Sequence, residues 1–136
     1  MTAKEYLGQA YWLDRRINSM IAQVDSLNLL AEKVTTTITG MPKNPSPSKS
    51  PMADAVCRIV DLEREITAEI DRLVDLKVEI SRRIKSVERT EYRLVLELRY
   101  LCFRSWEDIA DEMGYTVRNI HILHGEALKE FPVPAE

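Results

Sequence analysis

Apolar positions in the first third of the chain recur at Ala10, Leu13, Ile17, Met20, Val24, Leu27, Ala31 and Val34. The steps alternate between three and four, which lays a single stripe along one face of an α-helix. Sustained over about 3.5 heptads, such a stripe is a coiled-coil-type seam. Thr2 followed by Glu5 has the pattern of a capping box, so the helix is predicted to begin near residue 2. It is predicted to fade by about residue 37, in Thr35-Thr36-Thr37-Ile38-Thr39-Gly40, where β-branched residues and glycine disfavour helix.

Residues 38–51 change character. Pro42, Pro45, Pro47 and Pro51 alternate with Ser46, Ser48 and Ser50. This is a linker pattern with polyproline character. A surface connection is the plainer reading; a recognition segment for a proline-binding module is the sharper one.

Ser50-Pro51 then reads as an N-cap with proline at the first helical position. A second long helix is predicted from about 51 to 88. Ile59, Ile66, Leu73, Ile80 and Val87 fall every seven residues, with Leu62 and Leu76 between them. Ile70 and Ile84 displace the stripe by one position and widen the apolar face. A wide face suits more than one partner helix, such as its copy in a second subunit. Residues 1–88 are thus expected to form a helical hairpin that oligomerises, most simply as a dimer, because a two-helix seam makes a small core.

After Arg89 the pattern shortens. Thr90 is expected to cap a helix bearing Leu94, Val95, Leu98 and Leu101, ending at Cys102-Phe103-Arg104. Ser105 to Asp108 has capping-box spacing and opens a second short helix with Ile109, Ala110 and Met113 inward. Gly114 is the expected left-handed stop. Thr116 is expected to cap a third helix with Ile120, Ala127, Leu128 and Phe131 inward and Leu123 or His124 between them. Pro132 and Pro134 close it, leaving a tail at 132–136. A short helix, a glycine-centred turn and a second helix, with small Ala110 four residues before the glycine, is the helix-turn-helix layout.

The residues themselves carry a resemblance. Arg93-Leu94-Val95-Leu96-Glu97-Leu98-Arg99-Tyr100, Ser105-Trp106-Glu107-Asp108-Ile109-Ala110-Asp111-Glu112-Met113-Gly114 and Ala127-Leu128-Lys129 resemble region 4 of sigma-70-type factors over about residues 90–131, within a helix-turn-helix domain expected at 89–131. The whole layout is similar to small phage-encoded regulators of the ArpU/RinA late-transcription type, or to an uncharacterised branch of that group.

The resemblance implies double-stranded DNA as partner and a recognition helix from about Thr116 in a major groove. It exposes Val117, Arg118, Asn119, His121 and Ile122. Arg118 and Asn119 have the chemistry to read guanine and adenine edges. His121 is assigned to a phosphate or a base, and Thr116, at a helix N-terminus, to a phosphate. Such domains often carry a basic residue where this chain has Ile122 and Leu123, so the implied recognition surface is weakly basic. Ile122 is left to a thymine methyl or to the core. Host RNA polymerase is a further implied partner.

Charge sharpens that point. The chain has a net charge of -3, and residues 89–136 hold 6 basic and 9 acidic side chains. Phosphate neutralisation normally supplies much of the affinity for DNA. The compensating positive charge is sought in Arg82, Arg83, Lys85, Arg89 and Arg93, or in a second subunit. The plainer reading of that cluster is solvated cations near a helix C-terminus, where the macrodipole favours them.

Hydrophobic residues at 45% and charged residues at 30% fit a folded soluble chain. No apolar run approaches the roughly 18 residues of a membrane span, and the N-terminus lacks a signal-peptide core. Cys57 and Cys102 are expected to be free thiols in a reducing cytoplasm, here that of a bacterial host. His121 and His124 lack the partners of a metal site, and His124 reads as a half-buried core residue. No phosphate loop, nucleophile elbow or HExxH motif occurs, so neither cofactor nor enzymatic activity is expected. Besides a transcription regulator, two alternatives remain: a DNA-binding phage packaging or assembly subunit, and a helical protein-protein interaction module that does not touch DNA.

Overall fold

The computed structural model describes residues 1–38 and 51–135, with side chains to residue 33 in the first stretch. It is all-α. Five helices follow one another: α1 (Ala3–Ile38), α2 (Pro51–Lys85), α3 (Thr90–Tyr100), α4 (Trp106–Met113) and α5 (Val117–Glu130). Among the described residues there is no strand, and no helix is long and apolar enough to cross a membrane. The Pro/Ser linker and its Ser50 cap lie outside the described residues, as does the Val34 side chain. Pro51 is the first residue of α2.

The start of α1 follows its capping box. The Glu5 amide donates to Thr2 Oγ1 at 3.2 Å, and the Thr2 amide donates to Glu5 Oε2 at 3.3 Å. Two of the amides that open a helix without an internal partner are satisfied in this way.

The described chain divides into two compact units, one of Met1–Asp14 with Arg72–Glu136 and one of Arg15–Asp71. In the second, Ile17 and Met20 of α1 and Ile59 and Leu62 of α2 are buried. Arg16 Nε lies 3.5 Å from Glu69 Oε2, so the two long helices touch side by side here. Val24, Leu27 and Ala31 continue the seam half-buried.

The first unit holds the larger core. Tyr6, Leu7 and Ala10 of α1 join Ile80 and Ile84 of α2 and the α3–α5 residues Val95, Leu96, Ile109 and Ile120 in one cluster. Leu7, Ile80, Ile84, Leu96, Ile109 and Ile120 are completely enclosed. Phe131 closes the cluster with its ring centroid 5.9 Å from that of Tyr6. Arg83 fastens the residue after it: its Nε is 3.3 Å from Glu79 and its Nη1 donates to the Pro132 carbonyl at 3.1 Å.

Two sequence expectations are corrected. Thr90 does not cap α3. Arg89, with φ -78° and ψ 127°, holds the cap position without a side-chain cap bond. Thr90 is already helical, and its hydroxyl accepts from the Arg93 guanidinium at 3.0 Å. Leu94 is exposed, whereas Tyr92, Val95, Leu96, Leu98 and Tyr100 are buried. The reason is enclosure: α3 packs against both α4 and α5, so its buried arc is wide and centred away from Leu94.

Candidate nucleic-acid interface

Three residues separate α4 from α5, and each end is chemically specified. Ser105 opens α4 by accepting from the Asp108 amide at 3.2 Å. Gly114 ends it at φ 75° and ψ 28°. In that left-handed region an L side chain costs about 1–2 kcal/mol, so glycine is the fitting residue. The Gly114 and Tyr115 amides both donate to the Ala110 carbonyl, at 2.9 and 3.0 Å. Thr116 then caps α5 by accepting from the Asn119 amide at 3.1 Å. The direction of α5 is therefore set at its first residue.

α5 packs on α3 and α4 through Ile120, His124 and Ala127. With 100° per residue, the opposite face carries Arg118, Ile122, Gly125 and Lys129, flanked by Asn119 on one side and His121 on the other. Arg118, Asn119 and His121 are exposed, and Ile122 is 53% exposed. Ile122 thus belongs to the surface, while Leu123 is half-buried against the core. Val117 also packs against the core in part, which leaves only an edge of its side chain outward.

His121 is exposed but not loose. Its ring lies 4.6 Å from that of Trp106, between centroids, and Arg99 covers Trp106 at 4.2 Å. Beneath this stack the Tyr100 hydroxyl and His124 Nε2 share a hydrogen bond of 2.6 Å. The His124 ring also meets Trp106 edge-on at 4.7 Å. Burial holds the imidazole neutral and lowers its pKa to about 4, with nearby Lys4, Arg99 and His121 adding to the effect. The same burial pushes the Tyr100 phenol up to about 12, partly offset by Arg99. The pair joins α3 to α5. Neither residue type announces such a bond at a spacing of 24 residues, and sequence reasoning placed His124 inside without finding its partner.

The basic cluster is divided in its availability. Arg83 is tied to Glu79 and Pro132 and lies over the Tyr6 ring at 5.7 Å. Arg89 pairs with Glu91 at 3.2 Å and donates to the Tyr92 hydroxyl at 3.1 Å. Arg93 is half-buried on Thr90. Arg82 and Lys85 are exposed, and neither has an ion pair among the described residues. Among the described residues, no hydrogen bond or ion pair links this cluster to the start of α5. Of the five cations, Arg82 and Lys85 are the two with neither a hydrogen-bond nor an ion-pair partner among the described residues.

Among the described residues, no group of three or more His, Cys, Asp or Glu side chains is arranged to hold a metal ion. Cys57 and Cys102 are both exposed and unbonded. No family model, curated protein or solved structure matches this chain.

Proposed function

We propose that the chain is a DNA-binding transcription regulator, with α4, the Gly114 turn and α5 as a helix-turn-helix of the sigma-70 region 4 kind and α5 as its recognition helix. One observation carries the reading. The first turns of α5 present Arg118, Asn119 and Ile122 outward from a helix whose start is capped by Thr116 and whose other face is core. These side chains offer a bidentate donor for guanine, a bidentate pair for adenine and an apolar contact for a thymine methyl. Gly125 lies on the same face, and a methyl group there would meet nothing within 4 Å. Glycine inside a helix costs about 0.5–1 kcal/mol relative to alanine, and a close-approaching phosphate backbone gives a use for the missing side chain.

The regulator is of the kind carried by phages and acting with host RNA polymerase. Arg82 and Lys85 supply phosphate contacts that the acidic α3–α5 segment lacks. Titrating a labelled duplex of random sequence at several salt concentrations tests this. Wild type is expected to bind with a negative salt slope, and Arg82→Ala and Lys85→Ala are each expected to reduce that slope by about 1. Absence of binding at low salt would reject DNA as the partner. It would favour instead a protein-binding helical module, the reading supported by the excess of acidic over basic residues after Arg89.

Two copies acting together would raise the affinity, and α2 offers a surface for pairing. Val56, Val60, Ile70, Val74 and Val78 are all more than 40% exposed. At 100° per residue they fall within ~80° of arc, on a stripe about 33 Å long. β-Branched residues are mediocre helix formers, so five of them on one outward stripe call for a packing partner. Val56, Val60, Val74 and Val78 have the same spacing read from either end. An antiparallel second copy sets Val56 against Val78 and Val60 against Val74. We expect a dimer by sedimentation equilibrium at micromolar concentration and a monomer after Val74→Asp. A monomeric wild type would remove this part of the proposal, and a ring larger than a dimer would favour a packaging or assembly subunit.

A further inference from the structure

The compact unit containing α3–α5 also holds a half-open groove with a volume of about 940 Å³, lined by α1, α2, the end of α3 and Trp106. Its aromatic lining is Tyr11, Trp12, Tyr100, Phe103 and Trp106. Trp12 is 71% exposed, an unusual position for the largest apolar side chain. Three features set this groove apart from incidental surface.

The first is Gly8. It lies inside α1 and lines the groove, and a methyl group at this position would meet nothing within 4 Å. No packing within the chain needs a glycine here, although glycine weakens a helix interior by about 0.5–1 kcal/mol. What its absent side chain provides is depth.

The second is Phe103, which adopts φ 55°, the one positive φ outside glycine among the described residues. A bulky residue in that region costs on the order of 1–2 kcal/mol and persists where its surroundings hold it. Here they do: the Tyr11 ring meets it edge-on at 5.9 Å, and Lys77 Nζ lies over it at 4.5 Å. The strained backbone turns this ring toward the groove.

The third is charge. Lys4, Arg72 and Arg99 line the groove, against one carboxylate, Glu5. Glu5 accepts from the Thr2 amide, Arg99 donates to the Arg104 carbonyl at 3.0 Å, and Arg72 has a partner within the chain, so both signs are partly engaged. The groove is cationic in a chain whose net charge is -3.

We infer that this groove docks an acidic peptide segment of a partner protein, one that inserts a large apolar side chain beside Trp12 and above Gly8. A basic rim around an aromatic pocket has the composition of an interface anchor site. Its geometry favours a peptide over single-stranded nucleic acid. Tyr11 meets Trp12 at 81° and Phe103 at 76°, so the rings enclose a pocket edge-to-face. Successive bases require aromatic faces open for stacking along a strand. The inference is independent of what α5 binds.

The chain's 2 tryptophans both line this groove, so intrinsic fluorescence reports its occupancy directly. The probes are a synthetic acidic peptide containing two phenylalanines, the same peptide with lysine for each acid, and oligothymidylate. The acidic peptide is expected to give a saturable change in tryptophan emission that weakens with salt, while the lysine peptide gives none. Gly8→Leu, which fills the groove with a better helix former, is expected to weaken binding about tenfold or more while melting no lower than wild type. Trp12→Ala, at an exposed position, serves as the second variant, read through Trp106. The inference is overturned if the acidic peptide gives no saturable change up to millimolar concentration, or if the lysine peptide responds equally. It is also overturned if both variants bind as wild type does. A response to oligothymidylate alone would make the groove a nucleic-acid site and reject the peptide.

Discussion

Leu7→Ala is expected to destabilise the protein by about 2–5 kcal/mol, the range for emptying a fully enclosed leucine site. Leu7 has no exposed surface and belongs to the same cluster as Val95, Ile109 and Ile120, about 90 to 110 residues later in the chain. The loss should therefore appear as unfolding of α3–α5, not as fraying of an N-terminal helix. Guanidinium titration followed by tryptophan fluorescence measures it, since Trp106 packs against this cluster. The midpoint should fall with little change in slope. An effect below about 1 kcal/mol would show that the first turns of α1 are dispensable to the core, because most fully buried leucines exceed that value.

The second large effect is a loss of stability in mild acid, traced to His124. Its folded pKa of about 4 lies below the ordinary 6.5. The unfolded chain therefore takes up a proton that the folded chain refuses. The stabilisation is complete above pH 6.5 and is lost as pH falls from there toward 4. At pH 5 the loss amounts to about 2 kcal/mol, and below pH 4 to about 3 kcal/mol. Equilibrium unfolding at pH 7.5, 6, 5 and 4.5 checks the sign. His124→Gln keeps a hydrogen-bonding partner for the Tyr100 hydroxyl and removes the titration, so its profile should be nearly flat from pH 7 to 5, before the carboxylates protonate. A wild-type profile equally flat over that interval would contradict the burial of a neutral His124. Tyr100 works in the opposite range: its raised pKa of about 12 means stability is lost as pH climbs from 10 toward 12.

Much of the local structure was legible in the residues because its causes are local. Thr2 with Glu5, Ser105 before Asp108, Gly114 and Thr116 mark their helix ends through contacts only a few residues long. The α1 seam was visible as a period, and its members are all buried or half-buried as far as residue 31, but the period began too late to include Ala3, Tyr6 and Leu7, which are buried as well. Thr90 misled because a threonine at a helix start reads the same whether it caps or stands one position inside. The deciding partner, the Arg93 guanidinium, is visible only in three dimensions. Leu94 misled because periodicity marks an apolar face without saying how many helices enclose it.

For the candidate site, the burial of Ile120 followed from helical spacing, and the exposure of Arg118 and Asn119 from the resemblance. Which cations remain available did not. Arg83 and Arg89 look like Arg82 in sequence, but their guanidiniums are taken by Glu79, Pro132, Glu91 and the Tyr92 ring and hydroxyl. The Tyr100–His124 bond and the groove at Gly8 bring together residues far apart in the chain, and no local pattern records either.

DNA reading by α5 is tested most directly by selection of bound duplexes from a random-sequence pool at low salt. The selected sequence is then titrated with wild type, Arg118→Ala and Asn119→Ala. A defined motif should emerge, and each substitution should weaken its binding by about 1–3 kcal/mol, with correspondingly relaxed preference at one base position. Failure to enrich any sequence, or motif binding unchanged in both variants, would contradict α5 as a recognition helix.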